Sequence, residues 1–195
     1  WFSLQNLGHT QLHFHKIVDR NTVIINWWGA LASGVGHSLR HRGALRALVR
    51  TLARGRPEAD VIAHLHVGFL QIFYFDRVPD HAAVSETVGA AHQTIGKNHV
   101  RYVNAVLREA LRARREGHVQ DRRRDLVGTG FHLDRVLFRD PTDHPFLWME
   151  DALSIPARMA KRWVRRMGRE TTEDLARLFL QEPAMSVRVL KGDRE

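Results

Sequence analysis

Between positions 59 and 75 the chain places apolar side chains at Val61, Ile62, Leu65, Val67, Phe69, Leu70, Ile72, Phe73 and Phe75. Wrapped on a 3.6-residue helix, these positions leave almost no polar face, and such a helix is stable only when it is buried on most sides. Other helices must therefore surround it. The expected architecture is all-α, with 59–75 as the central helix.

The sequence supplies the surrounding helices. Over 43–54, Leu45, Leu48, Val49 and Leu52 form one apolar face, while Arg42, Arg46, Arg50 and Arg54 recur every four residues on the other side. Gly55-Arg56-Pro57 ends that helix. Val78-Pro79 predicts an extended turn, with Asp80 as the cap of the next helix. Its stripe is Val84, Val88, Ala91 and Ile95, and Gly96 closes it. A helix over 98–116 faces the core with Val100, Val103, Val106, Leu107, Ala110 and Leu111. Arg101, Arg108, Arg112 and Arg115 share its opposite face, with Asn104 at the boundary.

Residues 117–144, rich in glycine and containing Arg122-Arg123-Arg124, read as a linker or irregular excursion. Ala160, Trp163, Val164 and Met167 mark a helix between Pro156 and Gly168. Leu175, Leu178 and Phe179 mark another, opened by Thr171 with Asp174 in the manner of a capping box and ended by Pro183. Residues 1–18 are expected to be helical. Residues 22–40 form an apolar stretch around Trp27, Trp28 and Leu31, and 186–190 alternate like the start of a strand.

The order of features from Ala63 to Leu111 resembles the NusB-like RNA-binding domain found at the front of bacterial rRNA cytosine-5-methyltransferases of the RsmB (Sun/Fmu) family. The resemblance is carried by Gly68 and Gln71 in the apolar helix, the turn Arg77-Val78-Pro79-Asp80, the step Glu86-Thr87-Val88, and the run Val103-Asn104-Ala105-Val106-Leu107-Arg108. Ser154-Ile155-Pro156, Arg162-Trp163, Gly168, Pro183 and Val187-Arg188-Val189 resemble the segment that joins this domain to the methyltransferase body. The first 40 residues match poorly: Gly34-Val35-Gly36 and Leu45-Arg46 stand where relatives carry a Gly-Val-x-Arg step followed by Leu-Asp. The resemblance implies a NusB-like antiparallel helical bundle over 1–118, a linker or excursion over 119–144, and a helical extension over 145–195 leading toward an absent methyltransferase domain. It marks Pro79, Asp80, Glu86 and Asn104 as structural motif residues; from its place at the core edge, Asn104 is expected to make a helix-to-helix hydrogen bond.

The chemistry available is restricted. A cytosine-5-methyltransferase needs a thiolate nucleophile, and the 195 residues contain no cysteine. Gly34-Val35-Gly36 and Gly128-Thr129-Gly130 are followed three residues later by Leu39 and Leu133, so neither completes a dinucleotide fingerprint. No catalytic residue is therefore expected in this chain, and S-adenosylmethionine is expected only in an absent catalytic domain. The 13 histidines include His9/His13, His37/His41 and His64/His66, but none sits in a His-Glu-x-x-His motif, so no metal is expected. Trp27, Trp28, Trp148 and Trp163 have apolar neighbours and read as core. No apolar run reaches the roughly 18 to 20 residues of a membrane span, and no signal peptide is visible. A cytoplasmic protein is the expectation. The chain does not begin with Met, so its true N-terminus is expected to lie upstream.

What remains is charge. The formal net charge is +9, and 26 of the 30 basic residues are Arg, whose planar fork of donors suits phosphate. Six Arg and no acid fall within 40–56, eight Arg within 101–124, and six basic residues and no acid within 158–169. Arg42, Arg46, Arg50, Arg101, Arg108 and Arg112 are the expected phosphate contacts, and RNA, in particular rRNA, is the expected partner. Two other readings stay open. One is a NusB-type antitermination factor that binds RNA together with a ribosomal protein. The other is a helical docking module for a protein partner or its own methyltransferase domain, which an exposed apolar patch near Trp148 or Trp163 would favour.

Overall fold

The computed structural model describes residues 36–76 and 78–181. Among the described residues there are seven named helices and one two-stranded sheet: α1 (Arg42–Leu52), α2 (Ala59–Tyr74), α3 (Asp80–Thr94), α4 (Lys97–Ala113), β1 (Arg114–Glu116), β2 (Phe131–Leu133), α5 (Pro145–Ala152), α6 (Ala157–Met167) and α7 (Arg169–Leu180). Residues 36–40 are also helical and meet α1 through a turn at His41. The all-α expectation is met. The expectations for residues 1–35 and for 182–195, including Pro183 and the strand-like alternation, lie outside the described residues.

Helix α2 is the hub. It packs against α1, α3 and α4, and it buries Val61, Leu65, Phe69, Leu70, Ile72 and Phe73. Its burial is not all-round: Val67 is 46% exposed, and Ala59, Asp60 and Ala63 are exposed as well. Close approach explains Gly68. A Cβ there would stand 2.5 Å from a methyl of Leu107, so any side chain at 68 would force the buried Leu107 to shift. Gln71 reaches from α2 toward the buried Thr87 hydroxyl of α3 at 3.5 Å.

Three local expectations are corrected. Pro79, not Asp80, occupies the cap position of α3. Asp80 starts the helix and its carboxylate accepts instead from Arg114. Arg114 also donates to the Ile72 carbonyl at 2.8 Å and lies over the Phe131 ring, so one guanidinium joins the end of α2, the start of α3 and β2. Next, α4 ends at Ala113 rather than 116, because the chain turns extended and Arg114–Glu116 pair antiparallel with Phe131–Leu133. Finally, α7 begins at Arg169 with Gly168, at φ 83°, in the cap position. Thr171 lies within the first turn, and no side chain makes the capping-box bond.

Residues 119–144 are largely irregular, yet Leu126, Val127, Leu133, Leu137 and Phe138 are buried in the same core as the helices. The segment is tied down through Arg122. Its carbonyl accepts from the Trp148 indole at 3.1 Å, its guanidinium lies 4.0 Å from the Trp148 ring, and it pairs with Glu173 of α7. Trp148 itself is 1% exposed.

Helices α5 to α7 belong to that same compact body. α1 rests directly on the end of α5. A Cβ at Gly43 would fall 2.1 Å from the Glu150 carbonyl oxygen, and the Gly43 N–H donates to Ser154 Oγ at 2.9 Å. His41, at the cap position of α1, makes no side-chain cap bond. Ser154, held at φ 54°, supplies that acceptor from across the fold.

Candidate nucleic-acid interface

The arginines of α1 and α4 are exposed because the other face of each helix is the core stripe. Exposure alone does not make a binding site; the charge must also be uncompensated. Arg50 of α1 is paired with Asp151 at 2.8 Å. Arg112 of α4 is paired with Glu109 at 2.7 Å. Arg108 donates to Asn104 Oδ1 at 3.1 Å, so Asn104 bonds along its own helix rather than to a neighbouring one. That bond is to a neutral group and leaves the Arg108 charge in place. Arg42, Arg46 and Arg101 are exposed and form no ion pair among the described residues. Glu86 and Pro79 are exposed, and Pro79 serves the turn before α3.

Of the six expected contacts, four thus retain unmatched charge. Arg42 and Arg46 stand one turn apart on α1 beside His66 of α2. The imidazole of His66 is held below its usual range, first by burial and then by those two guanidinium groups, and its Nε2 is buried without a hydrogen-bond partner. Arg101 and Arg108 share the outer face of α4. One bond links the two helices near their ends, from the Tyr102 hydroxyl to the Arg54 carbonyl at 2.7 Å.

The dense arginine segment at 101–124 is largely internal in its bonding. Arg114, Arg115, Arg122 and Arg123 pair with Asp80, Asp134, Glu173 and Asp121, and Arg124 Nε donates to the Leu133 carbonyl. Counting charges along the chain could not separate these from free ones. The third basic segment is different: Arg158, Lys161, Arg162, Arg165 and Arg166 on α6 have no carboxylate partner among the described residues. The signal in the sequence was the absence of any acid between 158 and 169.

The histidines lie elsewhere in the chemistry. His64 bonds the Asp60 carbonyl and the Thr94 hydroxyl, and no group of three metal-ligating side chains occurs among the described residues. A cavity of about 400 Å³ is lined by His41, Tyr74, Gly128 and Arg177, among others. The His41 ring stacks on Tyr74 with centroids 4.0 Å apart. Burial, His37 and Arg40 lower the His41 pKa to about 4, and burial pushes the Tyr74 hydroxyl well above its usual value. Both groups are neutral at physiological pH. No helix among the described residues is long and apolar enough to cross a membrane.

Comparison with known proteins adds the family. Residues 28–112 match the NusB family. That stretch is a NusB-family domain. It spans the hub helix α2, its neighbours α1 and α3, and most of α4. Over 194 residues the chain is 25% identical to the probable ribosomal RNA small subunit methyltransferase B of Bacillus subtilis, a match covering 97% of this chain and 39% of that protein. Over 96 residues it is 42% identical to the ribosomal RNA small subunit methyltransferase B of Pseudomonas putida, covering 49% of this chain and 19% of that protein. The chain therefore spans well under half the length of these relatives. No solved structure matches it.

Proposed function

We propose that this NusB-family domain and its helical extension form a non-catalytic RNA-binding module that holds structured rRNA for a methyltransferase body. The observation that carries the reading is the pairing state of the arginines: Arg42, Arg46, Arg101 and Arg108 keep exposed charge free of carboxylates, while most other arginines of the core helices and excursion are consumed in internal bonds. The names of the relatives supply rRNA as the RNA class. S-adenosylmethionine would be bound by the methyltransferase body, not by these residues, and the setting would be the cytoplasm. Phosphate neutralisation would provide most of the affinity. Specificity would come from unpaired bases, because the major groove of A-form RNA is too narrow to read.

Fluorescence anisotropy with a labelled rRNA helix-loop and a matched duplex DNA tests this. The expected result is preference for the RNA and at least a tenfold loss for the triple variant Arg42→Glu, Arg46→Glu, Arg101→Glu, with an unchanged circular dichroism spectrum. Equal affinity of the variant and the parent would remove these helices as the site.

A further inference from the structure

Helix α6 lies outside the residues matched by the NusB family. In eleven residues it carries Arg158, Lys161, Arg162, Arg165 and Arg166 and no acid. All five are exposed. Among the described residues, the one hydrogen bond that any of their side chains makes runs within the helix, from Arg165 Nε to the Lys161 carbonyl at 3.4 Å. This is the largest unmatched charge on a single helix among the described residues. It contrasts with the 101–124 segment, where Arg112, Arg114, Arg115, Arg122 and Arg123 all pair with carboxylates.

The helix also has an aromatic edge. At 100° per residue, Arg162 and Arg166 border Met159 and Trp163, so cations and apolar groups adjoin along one side. The Trp163 ring packs on Phe179 of α7, with centroids 6.0 Å apart and planes at 57°. Phe179 is 52% exposed, so a large apolar ring faces solvent. Cations set beside an open aromatic ring are the elements with which proteins hold single-stranded nucleic acid. The charges follow the phosphates, and the ring stacks on a base.

We infer that the α6–α7 ridge is a second RNA contact, taking an unpaired nucleotide with Arg162 and Arg166 on its phosphates and its base stacked on Phe179. The inference rests on the RNA-binding reading above. Charge complementarity selects the occupant. A protein partner would have to bring several carboxylates to one short helix, whereas RNA delivers one negative charge per nucleotide. A paired duplex supplies the phosphates but hides its base faces.

The test uses the 195-residue chain and two labelled RNAs of equal length, one a hairpin with single-stranded flanks and one a blunt duplex. Phe179→Ala is expected to weaken binding to the flanked hairpin about tenfold and to change duplex binding less than twofold. Arg162→Gln with Arg166→Gln should weaken both. Phe179→Leu, which keeps the apolar bulk and removes the π face, should behave like Phe179→Ala. Unchanged hairpin affinity in these variants, while the Arg42, Arg46, Arg101 variant still loses it, would overturn the ridge and leave the first interface standing. Failure of the parent to bind either RNA would overturn both. A concentration-dependent dimer in light scattering that Phe179→Ala abolishes would assign the ridge to a second copy of the chain instead.

Discussion

Ser154 shows how much a single side chain can hold here. It sits at a positive φ that a serine seldom adopts, and its hydroxyl accepts the Gly43 N–H in the first turn of α1. Replacing such an acceptor with alanine costs about 1 kcal/mol. Ser154→Ala should therefore lower the urea midpoint modestly. Gly43→Ala should do far worse, because its new methyl would meet backbone rather than a movable side chain. A loss of several kcal/mol or outright failure to fold is expected, and equal midpoints for Gly43→Ala and the parent would refute the close contact. His41 sets a pH dependence at the same scale. The unfolded chain takes up a proton near 6.5, the folded one near 4. Between those values the unfolded state binds more protons, so stability falls as pH drops through that window, by about 2 kcal/mol from pH 7 to pH 5. His66 acts in the same direction. Denaturation of His41→Gln at both pH values should recover most of the difference attributed to His41. His66 also offers a reporter: a phosphate bound by Arg42 and Arg46 would cancel part of the field on its ring, so its imidazole titration, followed by NMR, should move up when RNA is added.

At the scale of elements, periodicity carried most of the fold. The stripes of Leu45, Leu48 and Leu52 and of Val103, Val106 and Leu107 placed α1 and α4 within a few residues, because an apolar face repeated over successive turns has one geometry that buries it. Ends were less legible. Asp80 is a good cap by type, but a distant cation, Arg114, claimed its carboxylate. Residues 114–116 continue the arginine pattern of α4 and leave the helix only because Phe131–Leu133 arrive to pair with them. The excursion was the hardest part. Its buried Leu126, Leu133, Leu137 and Phe138 follow no period, so composition shows glycines and charges but not the packing. The site was half legible for the same reason. Which arginine is free depends on where Asp151 and Glu109 stand, and only the second lies close in sequence to its partner. Removing a partner should therefore release charge: Asp151→Asn is expected to strengthen RNA binding by up to a few-fold at low salt. Unchanged affinity would show that Arg50 faces away from the RNA.

For the whole molecule, the distribution of charge matters more than its total of +9. If four arginines of α1 and α4 meet phosphate, the log–log slope of affinity against salt should be near −3 for single-stranded RNA and steeper for a duplex. If α6 joins them on a flanked hairpin, the slope should steepen by about 0.7 for each added cation, and anisotropy across a salt series reads this directly. Two basic faces would let the module grip one RNA at a structured element and again at an adjoining loose strand, and each would raise the effective concentration of the other. The helices beyond residue 112 would then serve the binding surface as well as the core they share.

The bond from Gly43 to Ser154 also orders events in time. The two residues are 111 positions apart, and a ribosome adds roughly 5 to 20 residues per second. On the order of ten seconds therefore pass between the synthesis of Gly43 and that of the residue that caps its helix. In that interval α1 has its apolar face and can meet α2, but it has neither its cap nor its seat on α5. A chaperone that shelters apolar helices should find this chain most receptive while synthesis runs between those two positions, and release it once Trp148 and Ser154 have cleared the exit tunnel.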